Sequence, residues 1–323
     1  MIPHWTVFKL QNGLGEHTQD WDALNQCNFK NNPLLDSRFV NGLLRQDQFS
    51  SWATFLPSQA QLGPSLVDSP ANQQQLMRDL PGLVGRLDML CSDSALGDLV
   101  AEPKRTTYTS DHALTMNIAL QGSFQEYWNG RPKKLVQNIS RYERRLAAEG
   151  VASDFRCYQE PLAVSEAFVR YANLESEGWK AGGGTAISVD NAQGKFYEEL
   201  LSGFAATGNA MVFELWFDGQ LAASRLVITS NGMMVMVKTT YAEEFARFSP
   251  GRLLLRHVVE HLFTLCPGSV IEFYTNASVD QLAWATGQRQ IRHISFYTDS
   301  FTAHLFGFLR KFRNRFFASS EPR

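Results

Sequence analysis

The stretch 210–265, AMVFELWFDGQLAASRLVITSNGMMVMVKTTYAEEFARFSPGRLLLRHVVEHLFTL, decides the fold. It holds three strand-like runs, at 211–217, 221–229 and 233–240. Asp218-Gly219 joins the first two and Asn231-Gly232 the second two. These dipeptides tolerate φ > 0 at both central positions, as a two-residue type I′ hairpin requires. The pattern predicts an antiparallel meander. Ser249-Pro250-Gly251 then opens a long apolar helix ending near Leu265, with Ser249 at the N-cap and Pro250 in the first turn. A strand that feeds a small-residue loop into a helix N-terminus makes an anion site, because the first backbone N–H groups lack partners inside the helix. The expected occupant is the pyrophosphate of an acyl carrier.

Around this stretch the second half of the chain alternates clearly. Pro132 to Glu149 reads as a helix with Gly150 just past its end, and Leu135, Ile139, Tyr142 and Leu146 form its apolar stripe. Its other face carries Lys133, Lys134, Arg141, Arg144 and Arg145, which fits either a solvated face or contact with an anion. Val151–Tyr158 reads as a strand, and Leu162–Glu177 and Asn191–Ala206 as helices, with Gly182-Gly183-Gly184 in the loop between. Strands follow at Val270–Tyr274 and Ile291–Thr298, then a helix at 301–317. The first half is more weakly patterned. Trp5–Leu10, Leu80–Asp93 and Ala113–Leu120 read as strands, Asp20–Asn28 and Asp36–Gln46 as helices, and Pro57–Gln75 as a polar loop. The class is α/β (α+β): a mixed sheet with an antiparallel meander, flanked by helices.

The chain has 323 residues, 44% hydrophobic and 19% charged, which suits a globular protein with room for two domains. A formal net charge of −2 argues against DNA binding by the whole surface. Cys27, Cys91, Cys157 and Cys266 lie too far apart for a metal-type spacing and read as reduced thiols. The N-terminal residues lack a basic-then-apolar leader, and no apolar run reaches the roughly 20 residues that span a bilayer. The expectation is a cytoplasmic protein. Neither a dinucleotide glycine fingerprint after a strand nor a phosphate-loop motif occurs.

A meander, a pyrophosphate loop with its helix, and a further strand follow the order of the GNAT acetyltransferase superfamily. The chain resembles the acetyltransferases of the cellulose-biosynthesis CelD/BcsL type and, more distantly, the Fem-type peptidyltransferases, which carry two such domains. The residues that carry the resemblance are Asn32-Pro33-Leu34-Leu35-Asp36-Ser37-Arg38-Phe39 and the basic helix over Leu135–Leu146. With them go 174–180 (LESEGWK), 184–187 (GTAI), 238–241 (KTTY) and 248–251 (FSPG). The resemblance implies a tandem acyl-CoA N-acyltransferase fold, with a degenerate domain at 1–125, a donor-binding domain at 126–300 and a basic aromatic tail at 301–323. It implies acetyl-CoA or another acyl-CoA as co-substrate and an amine acceptor, such as an amino sugar or lipid-linked sugar in exopolysaccharide or envelope synthesis. Arg247 to Leu253 offers one glycine where the superfamily loop has two, so an aminoacyl-tRNA donor of the Fem kind stays open, as does a non-catalytic binding role.

Acyl transfer needs an aligned thioester, a deprotonated nucleophile and donors for the oxyanion. By the resemblance, the pantetheine arm lies along Met233–Thr240 and the diphosphate on the amides of Gly251, Arg252 and Leu253, helped by Ser249 and by Arg247 or Arg252. Lys238 joins the donor-binding set, because a lysine in a buried meander needs a partner or an anionic ligand. Glu175, Glu214, Glu243 and Glu272 are base candidates by type, with Glu175 the choice because it sits in the most family-like segment. Tyr241 is the candidate acid for the leaving thiolate. Trp179 and Lys180 suit either a substrate-covering loop or a plain surface turn. No metal is expected, although His257-Val258-Val259-Glu260-His261 matches the H-x-x-E-H zinc signature and places two histidines on one helical face. The tail segment 306–317, basic with interleaved phenylalanines, either docks on the domain or touches anionic headgroups at the inner membrane face.

Overall fold

A computed structural model of the chain describes residues 14–28, 31–44, 62–63, 76–77, 80, 85–93, 95, 105–177, 187–188 and 191–304. Its contacts divide the chain into two units, Met1–Gln11 with Phe49–Ala113 and Gln290–Arg323, and Asn12–Gln48 with Leu114–Arg289. The strands are β1 Arg86–Asp93, β2 Thr107–Ala119, β3 Ser153–Tyr158, β4 Ala210–Phe217, β5 Gln220–Ser230, β6 Met233–Tyr241, β7 Val270–Glu272 and β8 Gly287–Tyr297. In the larger unit they form a mixed sheet in the order β2-β7-β6-β5-β4-β3, and in the smaller unit β1 pairs antiparallel with β8. The described helices are α1 Thr18–Asn28, α2 Ser37–Leu44, α3 Phe124–Asn129, α4 Lys133–Ala148, α5 Pro161–Glu177, α6 Ala192–Ala205, α7 Pro250–Leu265 and α8 Val279–Leu282.

In the larger unit, β4 to β6 run antiparallel as the dipeptides predict, and β3 adds to β4, also antiparallel. Asp218, Gly219, Asn231 and Gly232 all have positive φ, the backbone of a type I′ turn. Odd-numbered Met211, Phe213, Leu215 and Phe217 of β4 pack against α4 and α7, through Leu135, Ile139, Leu146, Leu254, Val258 and Leu262. The even side of the same strand meets α5, where Arg170 reaches Glu214. Strand alternation thus gives each face its own helical layer. The helix expected over Pro132–Glu149 is α4, and Gly150 follows it at φ 69. The apolar pattern does not reveal α3, which a Ser123–Glu126 capping box starts. It also places the starts of β2 and β8 too late, because their exposed ends carry no apolar run.

The segment around Asn32 locks several elements together. Asn32 caps a 3-10 turn at Pro33–Leu35 by accepting the Leu34 N–H, and its amide donates to the Tyr274 hydroxyl at 2.7 Å. Buried Asn25 brackets it, accepting the Asn32 N–H and donating to the Asn32 carbonyl, each at 3.0 Å. Arg38 holds both oxygens of Asp36 at 2.8 Å, lies 3.8 Å over Phe204, and donates to Thr207. These bonds tie α1 and α2 to α6 and to the residues just past β7. Asn25→Ala would leave two buried backbone groups unpaired, so we expect a stability loss of roughly 1–3 kcal/mol, measured by urea unfolding.

The strand expected at Trp5–Leu10, most of the 57–75 loop, and the end of the helix expected at Phe301 lie outside the described residues. No described helix is long and apolar enough to cross a membrane.

Candidate active site

The parallel ladder between β6 and β7 is short: Met233 lies opposite Val270, Met234 opposite Ile271 and Val235 opposite Glu272. β6 continues to Tyr241 after its partner has stopped, and Tyr274, at φ 44, turns the chain aside just beyond β7. The two strands therefore part at Val235 and Glu272. Register fixes a second feature of β6. Leu226 pairs with Lys238 but Val227 pairs with Met236, which leaves Val237 as a bulge residue. Lys238 and Tyr241 then project to opposite faces.

On one face, Lys238 Nζ lies 5.6 Å from the Tyr197 ring. Glu175, 1% exposed, belongs to the same cluster: its Oε2 accepts the Ile187 N–H at 3.2 Å. Burial pushes up the hydroxyl pKa values of Tyr171 and Tyr197, and the Glu175 charge pushes both further. Buried Arg225 is pulled down to about 10 by desolvation, with Tyr171 opposing.

On the other face, Tyr241 meets the start of α7. A Cβ at Gly251 would sit 3.9 Å from Tyr241 Cδ1. Ser249 occupies the N-cap position at φ 51, ψ 54, and its side chain makes no capping bond. The expected capping role is thereby corrected, because left-handed backbone turns the hydroxyl away from the first-turn amides. It bonds the Tyr142 phenol instead and lowers that group's pKa, with Arg141 and Arg252 adding to the effect. In the sequence Tyr142 is only a member of an apolar stripe. Its spacing from Ile139 and Leu146 gives no sign that it reaches the α7 N-terminus.

The amides expected to cradle a diphosphate are partly committed. The N–H groups of Arg252 and Leu253 both donate to the Ser249 carbonyl, at 2.9 and 3.2 Å. Pro250 has no N–H, which leaves Gly251 as the first-turn donor. The nearby guanidiniums have carboxylate partners: Arg247 pairs with Glu149 at 2.7 Å and Arg252 with Asp280 at 2.6 Å. Both pairs are solvent-exposed, and exposed pairs of this kind contribute only about 0–1 kcal/mol. An arriving polyanion can recruit either arginine at little cost.

The other carboxylates considered as bases hold structure together or lie outside the cluster. Glu214 is fully buried, paired with Arg170 Nε at 2.9 Å and with the Trp216 indole N–H at 2.9 Å. Glu272 takes Arg289 through both oxygens at 2.9 Å. Glu243 is exposed at the start of the 3-10 turn Glu243–Phe248. His257 stacks on Phe155 at 5.5 Å, and His261 sets its edge against Phe155 and Phe213. Burial lowers both imidazole pKa values, and among the described residues neither belongs to a group of three ligand side chains. Trp179 and Lys180 lie outside the described residues.

Residues 133–276 match the model of the acetyltransferase (GNAT) domain. Among solved structures, the chain is similar to the C-terminal domain of a putative lysylphosphatidylglycerol synthetase from Agrobacterium fabrum. The identity is 13% and the TM-score 0.51, over 76% of this chain and 77% of that one. It is also similar to FemX, at 8% identity and TM-score 0.45, over 61% of this chain and 64% of that one. No curated protein matches it in sequence. The match to a GNAT-type acetyltransferase domain thus spans β3 to β7 with α4 to α7, and the Agrobacterium structure is similar to the chain in fold.

Proposed function

We propose that the protein transfers an acyl group from acyl-CoA to an amine, with an amino sugar or lipid-linked sugar of exopolysaccharide or envelope synthesis as the acceptor class. The observation that carries the reading is the parting of β6 from β7 at Val235 and Glu272, directly upstream of the α7 N-terminus. A strand that loses its neighbour leaves room for the amides of a pantetheine arm to lie alongside it. The arm then leads to Gly251, whose N–H and helix dipole favour a phosphate. Tyr241, beside Gly251, stands at the diphosphate end of the arm and far from the sulfur, so the role expected of it as acid is corrected: it lines the phosphate site, and the departing thiolate takes its proton from solvent. Glu175 is the base we assign, from its place beside the same strand, with Lys238 and Tyr197 as its neighbours. The acyl–sulfur bond breaks as the acyl–nitrogen bond forms, and the amine proton leaves through the base.

A second reading has its own support. With Pro250 lacking an N–H and the Arg252 and Leu253 amides bonded to the Ser249 carbonyl, Gly251 is the first-turn donor and the diphosphate cradle is thin, which favours a donor without a diphosphate, such as aminoacyl-tRNA. Calorimetric titration of the full chain with acetyl-CoA, longer acyl-CoAs and charged tRNA separates the two. Saturable binding of an acyl-CoA at one site per chain is the expected result. Binding of charged tRNA alone would overturn the coenzyme A reading.

A further inference from the structure

The smaller unit holds a cluster that the acyl-transfer chemistry does not use. β1 and β8 are antiparallel partners, with Met89 opposite Ile294 and Ser92 opposite Arg292. Leu90 and Cys91 therefore face a single residue, His293, across a bulge. Cys91 sits there at φ 50, in the left-handed region that a non-glycine residue seldom adopts. Its N–H donates to His293 Nδ1 at 3.1 Å rather than to a strand carbonyl, and its Sγ lies 4.0 Å from the same nitrogen. His112, from β2, places its ring centroid 4.2 Å from that of His293. One ligand atom from each of Cys91, His112 and His293 falls within 4.8 Å of the others.

The backbone around the bulge is tightly held. Gly63 N–H donates to the Cys91 carbonyl at 3.0 Å, and a Cβ at Gly63 would lie 2.2 Å from the Leu90 carbonyl oxygen. Only glycine allows that approach, and it leaves Cys91 fully buried while both histidines stay partly exposed. Asp88, beside His293, is held by Ser295 Oγ and Arg86 Nε at 2.7 Å each.

The geometry points to a divalent zinc site on Cys91, His112 and His293. One thiolate and two imidazoles form a borderline-soft donor set, suited to tetrahedral zinc with water in the fourth position. Zinc bond lengths of about 2.3 Å to sulfur and 2.0–2.1 Å to nitrogen place ligand atoms roughly 3.5 Å apart. A contraction of about 1 Å therefore closes the cluster. An imidazole that offers Nε2 to a metal carries its proton on Nδ1, yet Nδ1 of His293 faces a donor. Ligation therefore takes place at Nδ1, with the metal replacing the Cys91 N–H. A cysteine ligates zinc as its thiolate, so the Cys91 thiol gives up its proton. The S–H bond breaks on binding and its proton goes to water, so one proton is released per metal bound. The three ligands come from three strands, which is why cysteine spacing along the chain did not reveal them.

The test uses the full chain, stripped with a chelator and then titrated with Zn2+ against a chromophoric competitor. Co2+ in parallel reports thiolate ligation through its charge-transfer absorption. We expect one equivalent bound, a cobalt–thiolate band, and at least about a 10-fold loss of affinity in both Cys91→Ser and His112→Gln. His261→Gln should bind as the parent does. His112 is partly exposed on its strand, so His112→Gln serves if Cys91→Ser fails to fold. Absence of saturable binding by the parent chain would overturn the assignment, as would unchanged affinity in His112→Gln. None of the three ligands belongs to the proposed acyl-CoA site, so failure of one reading leaves the other standing.

Discussion

Gly251→Asp is expected to lower acyl-CoA affinity by about three orders of magnitude. A carboxylate at this position would stand within about 4 Å of a phosphate bound at the first turn of α7. At an effective dielectric of about 20, two like charges at that separation repel by about 4 kcal/mol. Each 1.4 kcal/mol is about a factor of ten in the dissociation constant. The loss should not come from unfolding. The space at Gly251 admits a Cβ, with Tyr241 Cδ1 the nearest atom at 3.9 Å, and an acidic residue early in a helix favours the helix dipole. Calorimetry on Gly251→Asp and Gly251→Ala, each checked by its thermal transition, separates charge from shape. Equal affinity in the aspartate variant and the parent would remove the diphosphate from this helix end.

Arg170→Leu should destabilise the larger unit by about 3 kcal/mol or more. Glu214 has no exposure, and Arg170 is its charge partner at 2.9 Å. Removing one member of such a pair strands a buried carboxylate, which costs about 3–5 kcal/mol. The Trp216 N–H at 2.9 Å remains as a single neutral donor. The arginine is 31% exposed, which sets the expectation at the lower end of that range, and its stacking 5.0 Å over Tyr158 is lost as well. Replacing both members, as Arg170→Leu with Glu214→Leu, should recover most of the loss, because the uncompensated charge disappears. Urea unfolding of the single and double variants measures both effects. A single variant as stable as the parent would show that Glu214 does not depend on this arginine.

The meander and α7 were legible because their signals are local. Asp218-Gly219 and Asn231-Gly232 demand positive φ from two adjacent residues, and β4 is apolar enough to be buried on both faces. The helix pattern of α4 was equally local. What escaped was set by distant partners. Nothing in the spacing of 91, 112 and 293 announces that β1 lies against β8. The roles of Asn25 and Asn32 depend on Tyr274, which is 242 positions from Asn32. The site was half legible: Tyr241, Ser249 and Gly251 do converge, and Lys238 and Glu175 share Tyr197 as a neighbour. Carboxylate type alone could not separate Glu175 from Glu214 and Glu272, because an ion-pair partner on another element is invisible in the chain. Nor could spacing show that Arg247 and Arg252 would each find an acid.

The pairing of β1 with β8 bears on how the chain is made. Arg86 must wait for Tyr297, which a ribosome working at roughly 5–20 residues per second delivers about 10–40 s later. The meander, whose partners are neighbours in sequence, can assemble during that interval. β1 meanwhile emerges with no strand to receive it, and its apolar side, Leu87 and Met89, stays open to chance association. A chaperone that holds the nascent chain through that interval should raise the yield of folded protein.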